Sequence, residues 1–243
     1  MSLAHSPSIV TDNLIMCFDA ADPKSYPLAG TTWKDRSTKS NDASMLAGLS
    51  FDSANAGSIV FGGTATDYAT TNYDSDFSMD SLASIEVIFR CNSSLFGISD
   101  NRQTLWSNDA SNSFGLEIGI FDGCGITGGT NAGFRFLMHR QGNCFSAVSN
   151  ADAWEQYTTI QFVYTRDGSR GEKMYTNGQE ISLAVENNYE YSPGTSSSYI
   201  GTRGTSLGQK LIGNIYAIRM YKKELSASEV SQNFEAVRGR YGL

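Results

Sequence analysis

Clustered basic residues, histidine, proline and paired cysteines are all scarce in this chain of 243 residues. Each shortage weighs against a class of function. Lys and Arg number 18 against 25 Asp and Glu, for a formal net charge of -7. Phosphate recognition rests on clustered cations, so nucleic acid is not an expected partner. The densest basic stretch, RMYKK at 219–223, lies inside a strand-like alternation and reads as a solvated strand end. Histidine occurs only at His5 and His139, and neither sits at ligand spacing from a cysteine, which leaves zinc without a donor set. Cys17, Cys91, Cys124 and Cys144 contain no C-x-x-C pair and imply no disulfide framework. Cys17 and Cys91 fall in apolar runs, where a free thiol behaves as a small buried hydrophobe. No apolar run is long enough to cross a bilayer, and the first residues lack the basic start, apolar run and cleavage site of a secretory signal. The expectation is a chain made in a cytoplasm, with no membrane partner.

What is present points to strands. Gly is abundant at 24 residues against 4 Pro, which suits many strands joined by tight turns. A period of two recurs. SIEVIFR (84–90) sets Ile85, Val87 and Phe89 on one face, with Glu86 and Arg90 on the other. SFGLEIGIF (113–121), GFRFLMH (133–139) and TTIQFVYT (158–165) repeat it. Asn177-Gly178, between KMYT and QEISLA, is a signal for a two-residue hairpin turn. One apolar face per strand predicts antiparallel sheets packed as a sandwich. No composition break divides the chain, so residues 12–243 read as a single domain preceded by an arm, residues 1–11.

A lone helix is signalled at the end. Ser226 is a good N-cap, and Glu229 completes an S-x-x-E capping box. Leu225 is placed to staple onto Val230. Val230, Phe234 and Val237 form a narrow apolar stripe, and Gly239 offers a stop.

Several stretches together resemble a known family: LIMCFDAADPKSYPLAGTTWKDRS (14–37), FDSANAGSIVFGGTATDYAT (51–70), YIGTRG (199–204) and GNIYAIRMYKKELSASEVSQNFEAVRGRYGL (213–243). They look like the concanavalin A-like, laminin G-type jelly roll of marine bacteriophage (cyanophage-like) virion structural proteins. The resemblance covers residues 12–243. It implies an all-β fold, a two-sheet antiparallel jelly-roll sandwich with a short C-terminal helix. One departure stands out: the family's FDGxDDY reads FGGTATDY here, so Gly62 replaces an Asp while Asp67 keeps the matched acidic position.

Related jelly rolls include glycoside hydrolases, whose carboxylate pattern is roughly E-x-D-x-E. Here EIGIF (117–121) keeps Glu117 and puts Gly119 and Phe121 at the other two positions. One carboxylate cannot be both nucleophile and acid, so catalysis is not expected, and Glu86 is the only second carboxylate to be named. A carbohydrate groove is the looser alternative: Glu86, Glu117, Arg135 and His139, with Gln161, share one sheet face if their strands are neighbours. The bland alternative is a mutually satisfied polar layer. Tyr189 and Tyr191 are candidates for stacking on sugar, as are Trp33, Trp106 and Trp154 if exposed. No cofactor is implied, though Asp74, Asp76 and Asp80 are oxygen ligands of a kind that suits calcium.

Two functions follow as expectations. The first is a non-catalytic virion structural protein, a capsid decoration, collar or fibre component. It would dock on other virion proteins through its own surface, as a homo-oligomer with an exposed apolar patch, and its place would be the virion, after synthesis in the host cytoplasm. The alternative is a carbohydrate-binding adhesion module for host surface glycans.

Overall fold

The structure, a computed structural model, describes residues 7–72, 75–77, 83–92, 103–108, 116–121, 135–140, 144–150, 153–169, 171–186, 197–204 and 209–243. For 77, 116–121, 135–140, 144–146 and 185–186 it describes the backbone alone. Two antiparallel sheets face one another, as the alternation predicts. The eight-stranded sheet runs Gln179–Ile181, Glu172–Thr176, Thr159–Arg166, Ala83–Cys91, Ile212–Tyr221, Ser58–Gly62, Ser50–Asp52. Leu14–Asp19 shares the long strand's edge with Ser58–Gly62, pairing with its second half across a bulge at Tyr216. The nine-stranded sheet runs Leu183–Glu186, Cys144–Ser149, Arg135–Arg140, Leu116–Phe121, Gln103–Ser107, Ser198–Ile200, Ala69–Thr71, Ala43–Met45, Thr32–Trp33.

The core lies between the sheets. Ile85, Val87, Phe89, Phe162, Ile218 and Met220 meet Trp33, Met45, Ala69, Trp106 and Ile200 from the opposite side. All three tryptophans are buried in this layer, Trp33 with its ring 5.2 Å from that of Phe18, and Trp154 edge-on to Phe89 at 6.4 Å. They are packing residues and present no ring to a ligand. Asn177 and Gly178 both take left-handed φ, 49° and 78°, as a type I′ hairpin turn requires. Cys17 and Cys91 are free and buried.

The central strands of the eight-stranded sheet are buried on both faces, because the closing helix lies across its outer side. Ala227–Tyr241 starts with the expected capping box: Ser226 Oγ accepts from Glu229 N at 3.3 Å, and Glu229 Oε2 accepts from Ser226 N at 2.9 Å. Leu225 and Val230 cluster with Val10, Val163, Tyr175 and Tyr221. Val237 and Tyr241 cover Ile88, Tyr216 and Ala217. Two details differ from the sequence reading. The helix passes through Gly239 and stops at Gly242, whose left-handed φ of 69° makes the C-cap. Asn233, not Phe234, is the buried residue of the middle turn. The N-terminal segment also docks here: Val10 N donates to Asn233 Oδ1 at 2.8 Å, and Gln232 Nε2 donates to Ser8 O at 2.7 Å.

Candidate functional site

The candidate groove residues separate onto two sheets. Glu86 and Gln161 stand on the eight-stranded sheet, while Glu117, Arg135 and His139 belong to strands of the nine-stranded one. Glu86 is fully buried and lines no groove. Its Oε1 accepts from Gln161 Nε2 at 2.7 Å and lies 3.2 Å from Arg219 Nη1, and its Oε2 accepts from Asn233 Nδ2 at 2.9 Å. Arg219 is therefore no solvated strand end. Burial pulls its guanidinium toward deprotonation, and the Glu86 carboxylate more than restores the charged form. For Glu86 and Gln161 the satisfied polar layer is the correct description.

This buried cluster joins the two ends of the domain. Asp19, from the opening motif, accepts from Tyr241 Oη at 2.7 Å and from Arg240 Nη1 at 3.0 Å, both in the closing motif. Arg219 Nη2 lies 4.0 Å from the same carboxylate. Asp35, also from the opening motif, accepts from Cys17 N at 2.8 Å and Asn41 N at 3.0 Å, pinning the following loop to the first strand. The signature residues at each end are thus one another's partners. They lock the helix down and leave no opening for a ligand.

The other sheet offers a different arrangement. Paired residues of an antiparallel ladder share a face. Thr32 pairs with Ser44, Ser44 with Thr70, Thr70 with Tyr199, Tyr199 with Ser107, Ser107 with Glu117, and Glu117 with His139. This is one polar row across seven strands. In the next row Met45, Ala69, Ile200, Trp106 and Ala147 are core residues, so the polar row from Thr32 to Ser107 belongs to the outer face. Burial deepens along it, from exposed Thr32 and Ser44, through half-buried Thr70 and Tyr199, to buried Ser107. The Tyr199 ring is accompanied by Tyr68, centroids 6.2 Å apart at 42°. Burial, with Tyr68 beside it, pushes the Tyr199 hydroxyl above its ordinary pKa, so it stays protonated and can both donate and accept.

The fold has solved counterparts. The binding domain of Paraclostridial Mosquitocidal Protein 1 superposes with a TM-score of 0.64 at 15% identity, over 91% of this chain and 52% of that one. The botulinum neurotoxin serotype D binding domain gives 0.68 at 11%, over 94% and 53%. Domain 4 of AbnA, an extracellular GH43 arabinanase of Geobacillus stearothermophilus solved with arabinotriose, gives 0.62 at 11%, over 92% of this chain and 99% of that one. The chain spans about half the length of the first two structures. Neither family models nor curated proteins yield a match. At such identities the likeness establishes the fold, a β-sandwich shared with carbohydrate- and receptor-binding domains, and no activity.

The sequence candidates can now be placed. Glu117 and His139 are backbone partners in register, and Arg135 lies further along the His139 strand, paired with Phe121. Glu86, the second carboxylate that hydrolysis would need beside Glu117, is on the other sheet and sealed. Tyr189, Tyr191, Asp74 and Asp80 lie outside the described residues. Asp76 pairs with the ammonium of Lys39. Among the described residues no group of three or more His, Cys, Asp and Glu is arranged to hold a metal ion. At the family departure, a Cβ on residue 62 would lie 2.9 Å from Asp67 Oδ2, which itself accepts from Thr64 N at 2.8 Å. Gly62 leaves room for a carboxylate that closes the turn. Sequence reasoning missed Tyr199, Tyr68 and Ser107: the weak signal was Tyr199 in the short alternation SYI, and the register that joins it to Glu117 was not legible.

Proposed function

We propose that this chain is a non-catalytic carbohydrate-binding module that takes a glycan along the outer face of the nine-stranded sheet. The observation that carries this reading is the polar row itself, which runs from exposed Thr32 to Glu117 and His139 with the Tyr68–Tyr199 pair beside it. Sugar rings present C–H faces that stack on aromatics and hydroxyls that need short polar partners, and the row offers both. The closing helix covers the other sheet's outer face at Ile88, Tyr216 and Ala217. The fold shared with an arabinanase domain solved with arabinotriose supports the reading at the level of architecture.

The virion setting rests on the sequence resemblance alone. In that setting the module would sit on the particle with other virion proteins and hold it to host surface glycans. Mass spectrometry of purified particles tests the setting. The binding reading is tested by titrating the full chain with a panel of neutral oligosaccharides. At least one should bind, and Tyr199→Ala should weaken it about three- to tenfold, the worth of one stacking contact. Failure of every sugar, or an unchanged affinity in the variant, refutes the reading.

A further inference from the structure

We propose that the polar row takes one end of an uncharged, extended sugar chain and not an internal stretch of it. This deepens the glycan-binding reading and rests on it. Thr32, Ser44, Thr70 and Tyr199 stand on four adjacent strands in one register. Neighbouring strands lie about 4.8 Å apart, so the four residues span about 14 Å. Each carries a hydroxyl, which both donates and accepts. None of the four is charged. A carboxylate or sulfate laid along them would lose water and gain no cation, so the ligand is neutral. A chain of β-1,4-linked sugars stays straight and advances by about one strand spacing per residue. It therefore brings one sugar to each hydroxyl, whereas a coiled or branched chain leaves the row after a single contact.

An apolar ledge flanks these hydroxyls. The ladder runs on past Ser44, where Leu46 N donates to Tyr68 O at 3.1 Å. Leu46 and Tyr68 are two residues from Ser44 and Thr70 and so share their face, each half-buried. The Tyr199 ring, 6.2 Å from that of Tyr68, continues the ledge. It suits the C–H faces of the innermost sugars, while their hydroxyls meet Thr70 and Tyr199.

The two ends of the row differ. Thr32 belongs to the last strand of the sheet and is exposed, so a chain runs off the edge there into solvent with no limit on its length. At the other end Tyr199 is half-buried, and Ser107, next in register on the same face, is fully buried. A chain lying on Tyr199 has no open surface on which to continue. Its terminal sugar stops at the Tyr68–Tyr199 pair.

Calorimetric titration of the full chain with glucose, mannose and xylose oligomers, each β-1,4-linked and two to six sugars long, tests the proposal. Affinity in at least one series should climb up to about four sugars, one for each hydroxyl, and then level off. Thr32→Ala, a change at an exposed position, should weaken the longer oligomers about two- to tenfold and leave the disaccharide unaffected. Tyr199→Ala should weaken every length by a similar factor. Cutting the parent polysaccharide of that series with an endo-acting hydrolase should raise its binding capacity per gram in step with the number of chain ends. Capacity that follows mass instead overturns the inference, as does affinity that is flat from two sugars or still climbing at six. Equal binding of β-1,4-linked mannuronic acid and mannose oligomers, or binding confined to other neutral sugars, overturns it too. In each of these cases the module reading stands; if no neutral sugar binds, both fall.

Discussion

Removing the Glu86 carboxylate is the perturbation whose consequence the structure defines best. Arg219 would be left 2% exposed with its nearest remaining carboxylate, Asp19, at 4.0 Å and shared with Arg240 and Tyr241. Gln161 Nε2 and Asn233 Nδ2 would each lose an acceptor. Breaking a buried pair from one side costs about 3–5 kcal/mol, because the surviving charge has lost its compensation. For a chain of this length that is a fall of roughly 6–20 °C in melting midpoint. Glu86→Ala should show it in urea unfolding as a lowered midpoint with an unchanged slope. The control is Glu86→Leu combined with Arg219→Met. Removing both charges restores an apolar layer and should recover more than half of the loss, because Gln161 and Asn233 alone stay short of a partner. A single-variant cost below about 1 kcal/mol, or a double variant costing the sum of the two singles, refutes the idea that the pair is held by mutual compensation.

Two further predictions concern the same face. Burial raises the pKa of Tyr221 and Tyr241 well above the ordinary value of 10.0 and that of Tyr175 to about 12, while Cys17 rises to about 11. Raised folded-state values mean stability fully present below the unfolded pKa values and lost as pH climbs through the folded ones; stability should therefore fall steadily above about pH 9–10. Chemical unfolding followed from pH 7 to 11 checks this, and a flat profile contradicts it. Gly178→Val should cost about 1–3 kcal/mol, since φ is 78° there and a Cβ would meet Phe234 at 3.1 Å; a variant as stable as the parent in thermal unfolding would show that the helix does not press on the hairpin turn.

Local signals in the sequence were legible and tertiary ones were not. Ser226 and Glu229 declare the helix start because both partners lie within one turn. Its end is set from outside: Gly239 is an apt stop, yet the helix runs on because Arg240 and Tyr241 reach Asp19, more than two hundred residues away. Asn177-Gly178 announces its own turn. The inward faces of SIEVIFR and TTIQFVYT follow from alternation, but alternation cannot say which outward face a helix will cover. That is why Glu86 reads as a groove residue in sequence and is a sealed ion-pair partner in the fold. The same blindness hides the polar row, whose members come from strands scattered between residues 32 and 199 and meet only through register.

The most direct test of glycan binding on the nine-stranded sheet is a two-dimensional amide NMR titration of the labelled chain with an oligosaccharide that it binds. Shifts should concentrate at Ser44, Tyr68, Thr70, Ser107 and Tyr199, with the amides of Val230, Asn233 and Val237 unmoved. Shifts centred on the closing helix, or spread evenly over both sheets, would contradict it.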